Sequence, residues 1–340
     1  MHSRARRITA FLAIALPALI ALALVAGFLG AWHPAFDSFA HFRAHLAVLL
    51  ALAGLPGLFI GYWKEAIAAV ALGVAALSTT AVDMPVPGFG ASFAEPRPDD
   101  AAIYRLMQLN LLYDNPEPEK ALSEIGRVQP DIVTLEEVSA AWGERLKLLA
   151  PTYPYSVICP AGRRVGGVAI FSRRPFTFGT EPVCLLSGSL AIASVDLGGR
   201  TLDVASVHLA WPWPRPQAQE VAELEVELGR LADNALLAGD FNAVGWSQTL
   251  KRVAAAGRLT PVPPVGPTWL AYQFSLALRP YIGLPIDHVL SKGNVHVHAA
   301  RTGGDAGSDH APVIVEFSLS GSAPKAPEEA DETVTAKLGR

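Results

Sequence analysis

The sequence predicts a layered α/β domain with mixed sheets, set behind an N-terminal membrane region. Three observations predict it. Apolar residues make up 51% of the chain and charged ones only 17%, against about 25% charged in ordinary soluble proteins. That average hides a split: the 75 residues Ile8–Val82 carry four formal charges (Asp37, Arg43, Lys64, Glu65), whereas Asp83–Ser320 carries 19 basic and 25 acidic residues. Beyond the split, strand-like and helix-like patterns alternate, and the strand-like runs end in Asn, Asp, Glu or His. This composition excludes a disordered or collagen-like chain.

Taking the elements in order, Ile8–Gly30 is an uncharged run of 23 residues, which at about 1.5 Å per residue crosses a hydrocarbon core of roughly 30 Å. Ala44–Trp63 and Ala66–Val82 are two more such runs, parted only by Lys64 and Glu65 as in a helical hairpin. Pro17 and Pro56 are tolerable inside membrane helices. A cleaved signal peptide, the alternative for the first run, has a shorter apolar region of about 7–15 residues, and further apolar runs do not follow it. Residues 1–82 are therefore read as about three transmembrane helices, over 8–30, 44–63 and 66–82. Arg4, Arg6 and Arg7 hold the N-terminus in the cytoplasm, and three crossings place everything after Val82 outside it. Lys64 on the inner turn agrees with this orientation; Arg43 on the outer loop opposes it.

Residues 83–99, with Pro85, Pro87, Pro96 and Pro98, read as an extended linker. Residues 320–340 read as a disordered tail. The stretch between them, 100–319, is a reasonable size for one domain. Ile103–Leu111 reads as a strand, Ala121, Leu122, Ile125 and Val128 share a face of a helix over Glu117–Val128, and Asp131–Leu135 is a short strand. Trp142, Leu146 and Leu149 mark a second helix. Val157, Val168–Phe171, Leu190–Val195 and Thr201–His208 are strand-like. Val221, Leu224, Leu228 and Leu231 define a third helix, and Ala235–Ala238, Ile286–Leu290 and Pro312–Leu319 complete the strands. Such a mixture of hairpins and crossovers implies mixed sheets in layers. Cys159 and Cys184 are either a disulfide, in an oxidising compartment, or two buried thiols. Neither has zinc-site spacing.

The strand ends carry the chemistry. Asn110 closes LMQLN, Glu136 and Glu137 close DIVTLEE, His208 closes DVASVHL, and Asp240 and Asn242 close LLAGDFN. Asp287 and His288 stand in PIDHVL, and Ser308, Asp309 and His310 directly precede APVIVEF. Buried strands tolerate carboxylates poorly unless these are paired or metal-bound, and in layered α/β proteins ligand sites gather at strand ends. Oxygen ligands without cysteine suit a hard cation, Mg²⁺ or Mn²⁺. A cation with His and Asp is the outfit for attack of water on a phosphate ester. The cation screens the phosphate, an Asp orients or deprotonates the water, and a protonated His stabilises the transition state.

In the order QLNL, DIVTLEEV, GVAIFSR, VHL, GDFN, IDHVL and SDHAPV, these motifs resemble the endonuclease/exonuclease/phosphatase superfamily over Tyr104 to Phe317. Any one of them is weak; all of them in order are strong. The resemblance implies a four-layer α/β/β/α sandwich of two mixed sheets, and a divalent-metal-dependent phosphoesterase. It implies that Asn110, Glu137 and Asp309 belong to the metal site, that Asp240 activates water, and that Asn242 orients Asp240 or contacts phosphate. It further implies that His310 is the catalytic imidazole, that Asp287 sets its tautomer, and that His208 is the other phosphate-facing histidine. Glu136 stands where relatives commonly have Gln, and is either a partner of the metal-site residues or exposed. The membrane-anchored arrangement is similar to bacterial members. It implies the bacterial inner membrane, with the catalytic domain on the periplasmic or extracellular side.

Other candidates have plainer readings. His288 should face away from Asp287 by strand alternation. His296 and His298 are expected on an exposed strand face, without the third ligand that a metal pair needs. Trp269 is similar to a substrate-side family position, while Trp211, Trp213 and Trp246 either stack a base or grip a lipid or, as expected here, pack beneath loops. Arg163, Arg164, Arg173 and Arg174 form the local basic cluster, turned either to phosphate or to solvent. The net charge of −6 over Asp83–Ser320 argues against tight binding of long nucleic acid, which needs a basic footprint. The expected substrate is a phosphodiester, in nucleic acid or alternatively in a phospholipid headgroup or a small-molecule phosphate ester, and no protein partner is inferable. A non-catalytic binding module is disfavoured because every expected position is filled. A transporter fails because the membrane part lacks buried charged sites.

Overall fold

The structure, a computed structural model of the chain, describes residues 2–84, 93–94, 102–162 and 164–320. The expected linker over 83–99 and tail over 320–340 lie almost entirely outside these residues, as does Arg163. The first seven strands are β1 (Phe93–Ala94), β2 (Tyr104–Asn110), β3 (Ile132–Val138), β4 (Tyr155–Cys159), β5 (Gly167–Ser172), β6 (Val183–Leu185) and β7 (Leu190–Asp196). The rest are β8 (Thr201–His208), β9 (Ala235–Asp240), β10 (Thr260–Pro261), β11 (Asp287–Lys292), β12 (Val295–Thr302) and β13 (Val313–Leu319). The N-terminal helices are α1 (His2–Ala26), α2 (Pro34–Ala40), α3 (Arg43–Gly54) and α4 (Trp63–Ser78). Among the strands lie α5 (Pro118–Val128), α6 (Ala140–Leu146), α7 (Gln217–Leu228), α8 (Gln248–Gly257) and α9 (Arg279–Ile282).

Two sheets result, ordered β1-β12-β13-β2-β3-β5-β4 and β10-β11-β9-β8-β7-β6. They are mixed in the same way. Each has one parallel pair, β2 with β3 or β8 with β9, among antiparallel neighbours. A parallel pair needs a crossover connection, and α5 and α7 supply it. The inner faces pack on each other through Leu106, Ile132, Ile170, Val204, Leu236 and Phe317. Ile125 and Val128 of α5, with Trp142 and Leu146 of α6, cover one outer face. Val221 and Leu224 of α7, with Leu250 and Val253 of α8, cover the other. The layers therefore run helix, sheet, sheet, helix. Cys159 on β4 and Cys184 on β6 form a disulfide across edge strands of the two sheets, with their Cα atoms 5.4 Å apart.

The N-terminal helices depart from expectation. Among the described residues no single helix is long and apolar enough to cross a membrane. Helix α2 and the stretch Arg43–Leu58 pass that test only together, and they are bent by 66°. The run expected as one span over 44–63 stops at Gly54 and tightens into a 3-10 turn, Leu55–Leu58. Pro56 has no N–H to continue the helix, and Gly54 and Gly57 beside it are poor helix formers. The expected hairpin does form, with Leu24, Ala47, Leu50 and Ala76 in a small core between α1, α3 and α4. Arg43 is buried, not a free charge on an outer loop. Its Nη2 donates to Gly27 O at 2.9 Å, and its guanidinium lies 4.0 Å from the Phe28 ring centroid.

These helices dock on the α/β sandwich chiefly through α2. The Asp37 carboxylate accepts from the N–H groups of Gln248 and Thr249 at 2.9 and 3.1 Å, at the positive end of α8. Trp246 Nε1 donates to Ala40 O at 2.7 Å, and Ala40 packs with Val244, Trp246, Leu284 and Ile286.

Candidate active site

Register gathers the strand ends before any side chain is considered. Asn110 pairs opposite Glu136, while His208 and Asp287 flank Asp240 on either side. Gly239 permits the close approach of β8 and β9, since a Cβ there would lie 1.9 Å from Val207 O. Two departures from regular strand aim the remaining groups. Glu137 and Asn242 have φ of 57° and 45°, in the left-handed region that costs a non-glycine residue about 1–2 kcal/mol. The pairing of β3 with β5 is also irregular between Leu135 and Val138. Successive strand residues ordinarily face opposite sides; the turn at Glu137 brings both glutamates to the site.

Asp240 is the hub. Its Oδ2 accepts from Asn110 Nδ2 at 3.0 Å and lies 3.7 Å from both His208 Nε2 and His310 Nε2. Its Oδ1 accepts from the Asn242 N–H at 2.8 Å. His310 Nδ1 donates to Asp287 Oδ2 at 2.8 Å, which turns Nε2 toward Asp240. Asn110 Nδ2 also reaches Glu137 Oε1 at 3.3 Å, and Glu137 Oε2 accepts from the Tyr113 N–H at 2.8 Å. Asn242 Nδ2 donates to Leu209 O at 2.9 Å and lies 3.5 Å from His208 Nε2. Asp309 sits at the edge, where its Oδ2 accepts from Trp269 Nε1 at 2.9 Å. The structure thus places Asn110, Glu137, His208, Asp240, Asn242, Asp287, Asp309 and His310 in one group.

The electrostatics follow from burial and crowding. Burial raises Asp240, with His310 opposing the rise. Burial alone would lower His310, but Asp287 and Asp240 outweigh it and push the imidazole up to about 10. Burial would raise Asp287 too, yet the charge of His310 and its hydrogen bond hold it below the usual carboxylate range. Burial also raises Glu137, against the Tyr113 N–H. Glu136 is fully buried, which excludes the exposed reading. It accepts from Gln108 Nε2 at 2.8 Å and Ser206 Oγ at 3.0 Å, and burial lifts it well above its ordinary value. Gln108 Nε2 also donates to Asp287 Oδ1 at 2.9 Å, so it bridges the two acids.

This donor set fits a hard divalent cation. It is rich in carboxylate and amide oxygens and has no cysteine, and Asp240, Asp287 and His310 offer ligand atoms within 4.8 Å of one another. The buried Asn242 Oδ1 also has no hydrogen-bond partner among the described residues.

Gln217 and His41 had drawn no notice in the sequence. Gln217 Nε2 contacts Ala210 O, Phe241 O and Asn242 O at 2.8, 3.1 and 3.0 Å, and His41 Nε2 lies 3.1 Å from Asn242 O. Thr249 Oγ1 donates to Gln217 Oε1 at 3.0 Å, which extends the chain of contacts to Asp37 on α2. The signal for Gln217 was its place at i, i+4 and i+7 with the apolar Val221 and Leu224. His41 offered none.

The remaining candidates sort plainly. His288 is structural, with Nε2 2.7 Å from Ala243 O and its ring 5.6 Å from Phe241. His296 and His298 do not share an exposed face. A register shift between Val297 and Ala299 breaks the alternation, and His298 is buried against Ser318 Oγ at 2.8 Å. Trp246 is buried as expected, but Trp211 and Trp213 are exposed, because their loop lies over the site rather than over a core. Arg174 pairs with Asp131 at 3.1 Å and Arg173 lies over Tyr153, both at the strand ends away from the site. Arg164 lies over Tyr113.

The model of the Endonuclease/Exonuclease/phosphatase family matches residues 107–310, more than half of the chain. No curated protein sequence matches it. Among solved structures, the endonuclease/exonuclease/phosphatase from Beutenbergia cavernae is similar at 23% identity and a TM-score of 0.51, covering 66% of this chain and 73% of that one. The human Nocturnin catalytic domain is similar at 18% identity and TM-score 0.52, covering 67% and 97%. TDP2 from D. rerio, complexed with single strand DNA product, is similar at 20% identity and TM-score 0.51, covering 64% and 100%. At such identities these likenesses speak for the fold. With that fold, and a match running from β2 to His310, the chain belongs to the Endonuclease/Exonuclease/phosphatase family of metal-dependent phosphoric ester hydrolases.

Proposed function

We propose that the chain is a membrane-anchored, divalent-metal-dependent phosphodiesterase. The observation that carries the hydrolytic part is the buried Asp240 carboxylate, 3.7 Å from two imidazoles and hydrogen-bonded by Asn110. In this reading Asn110, Glu137 and Asp309 hold Mg²⁺ or Mn²⁺, which when bound screens the phosphate and polarises its oxygen. Asp240, raised by burial, takes a proton from water as the water oxygen bonds to phosphorus and the ester P–O bond breaks. The leaving oxygen is protonated from solvent. His310, protonated and oriented through Asp287, stabilises charge on the phosphoryl oxygens. His208 and Asn242 contact the phosphate.

Anchoring is supported by the exposed apolar side chains of the N-terminal helices, among them Leu19, Leu22, Leu52, Ile67 and Val74. So large an apolar surface marks an interaction site. Asp37 and Ala40, between the first two apolar runs, dock on the domain that follows the third run. Two runs separate those parts, and an even number of crossings between them leaves both on one side. The Cys159–Cys184 disulfide supports an oxidising side, hence the periplasmic or extracellular face of a bacterial plasma membrane.

The full chain in detergent is expected to hydrolyse bis(p-nitrophenyl) phosphate with Mg²⁺ or Mn²⁺ and not with EDTA. Asp240→Ala and His310→Ala should each lower kcat about 10³-fold or more. A rate that survives EDTA or either substitution overturns the assigned roles, and no hydrolysis by the wild type favours a binding module.

A further inference from the structure

Two loops that the hydrolytic chemistry leaves unused surround the site. One, residues 209–216, starts where the Leu209 N–H donates to Asp240 O at 3.0 Å. The other, residues 269–284, starts where the Leu270 N–H donates to Asp309 O at 3.1 Å. Their indoles meet over the site: Trp211 and Trp269 have ring centroids 5.0 Å apart, and Trp269 is 6.4 Å from His310.

Farther along, both loops are held by the N-terminal helices. Ser38 Oγ donates to Trp213 O at 3.1 Å, and His45 Nε2 donates to Ile282 O at 3.0 Å. Between these ties the loops expose large apolar side chains. Trp211 is 41% exposed, Trp213 53%, Tyr272 51%, Phe274 54% and Tyr281 64%. Phe39 and Phe42, beside Ser38 and His45, are exposed as well. Arg215 and Arg279 are the charged residues of the two loops, and Arg279 turns inward, with Nη2 donating to Ser308 O at 3.3 Å. The exposed apolar side chains of these two loops, an apolar collar, are thus tied at Trp213 and Ile282 to the N-terminal helices and reach the catalytic site at Trp211 and Trp269.

We propose that this collar rests on a lipid bilayer and that the substrate is a phosphodiester of a lipid headgroup, presented from that bilayer to Asp240 and His310. The proposal rests on the phosphodiesterase reading above and adds the substrate class. Trp and Tyr settle at headgroup depth, where an apolar ring and a polar N–H or O–H are both accommodated. Single-stranded nucleic acid also stacks on aromatic rings, but its grooves pair them with a run of cations that follows the backbone. Here the cation that the two loops turn outward is Arg215, the exposed Arg164 lies over Tyr113, and the soluble part carries a net charge of −6. Continuity with the apolar helices favours lipid.

The test uses the full chain reconstituted in vesicles of phosphatidylethanolamine and phosphatidylglycerol. It compares Trp213→Ser/Phe274→Ser/Tyr281→Ser with wild type on two substrates, the vesicle lipid and soluble bis(p-nitrophenyl) phosphate. Wild type is expected to hydrolyse the P–O bond to the glycerol backbone, with water supplying the new P–O bond and the glycerol oxygen leaving as the hydroxyl of diacylglycerol, and so to release the phosphorylated headgroup from the vesicles. The triple variant should lose about tenfold or more of that rate, because interfacial binding scales with buried apolar area. Its rate on the soluble ester should stay within about twofold, which also shows that the variant folds; Tyr281→Ser alone provides a milder check in the same direction. Three results overturn the proposal. Wild type splits the soluble ester but leaves the lipid intact; the folded variants keep the full lipid rate; or single-stranded DNA inhibits the soluble reaction through the same three side chains. Failure of wild type on the soluble ester overturns the phosphodiesterase reading itself.

Discussion

Burial is inverted in two regions of this molecule, in opposite senses. At the strand ends, the carboxylates of Glu136, Asp240 and Asp287 are buried. In the N-terminal helices, Phe11, Leu19, Leu22, Leu52 and Val74 are large apolar side chains more than half exposed. Both arrangements are unfavourable in water alone. They differ in where the compensation comes from. Gln108, Asn110, Ser206 and His310 answer the buried carboxylates from within the chain, and the donor set they leave fits a divalent cation. No described residue covers the helices' outward faces, and in the proposed reading their compensation comes from outside the chain. In the proposed reading the first region meets phosphate and the second meets lipid, and the aromatic collar joins them.

The largest expected effect tests the first inversion. Asp240→Asn keeps the shape and removes the charge, and should lower kcat about 10³-fold. Because burial raises the carboxyl of Asp240, its ionised form disfavours the folded state at neutral pH. The metal-free variant should therefore keep its Tm or raise it. A marked fall in Tm would mean that the acid cluster serves the fold instead. The second inversion is tested by extraction. The chain should stay with membranes through alkaline carbonate and leave only with detergent; release by carbonate would break the comparison.

A smaller effect is expected where the two regions meet. Gln217→Ala removes the donor behind Asn242 and should lower kcat about tenfold with KM little changed, as a small misplacement does. A change confined to KM would place Gln217 in substrate binding instead. The smallest effect lies away from both regions. Arg127 at 2.6 Å and the Gly304 N–H hold Glu124 below the usual carboxylate range. A depressed folded pKa stabilises above the ordinary carboxylate value and loses that contribution as pH falls through the folded value. The Tm advantage of wild type over Glu124→Gln should thus be complete near neutral pH and vanish in acid.

Much of this was legible in the sequence, for identifiable reasons. A carboxylate closing an apolar run has few harmless explanations, so Asp240 and Asp287 stood out, and period-two and helical patterns located most elements of the sandwich. Other features were not legible. Whether Glu136 faced water or the site depended on the left-handed turn at Glu137, and a register shift in β12 separated His296 from His298. Reading 44–63 as one span treats Pro56 as tolerable inside it, whereas the helix stops at Gly54, two residues before that proline, and tightens into a 3-10 turn. Trp211 and Trp213 looked like core residues because tryptophan is usually buried, whereas their loop lies over a site.

By itself the sequence determined the alternation of elements, the contrast between apolar first quarter and charged remainder, and the residue types closing each strand. These follow from local periodicity and side-chain chemistry, which neighbours along the chain are enough to express. Only the tertiary structure decided which groups meet: Asn110 with Asp240 across 130 residues, two imidazoles on one carboxylate, Gln217 behind Asn242, and two loops tied to the N-terminal helices around the site. Those contacts are set by strand register and by the packing of distant elements, and no short stretch of sequence encodes either one.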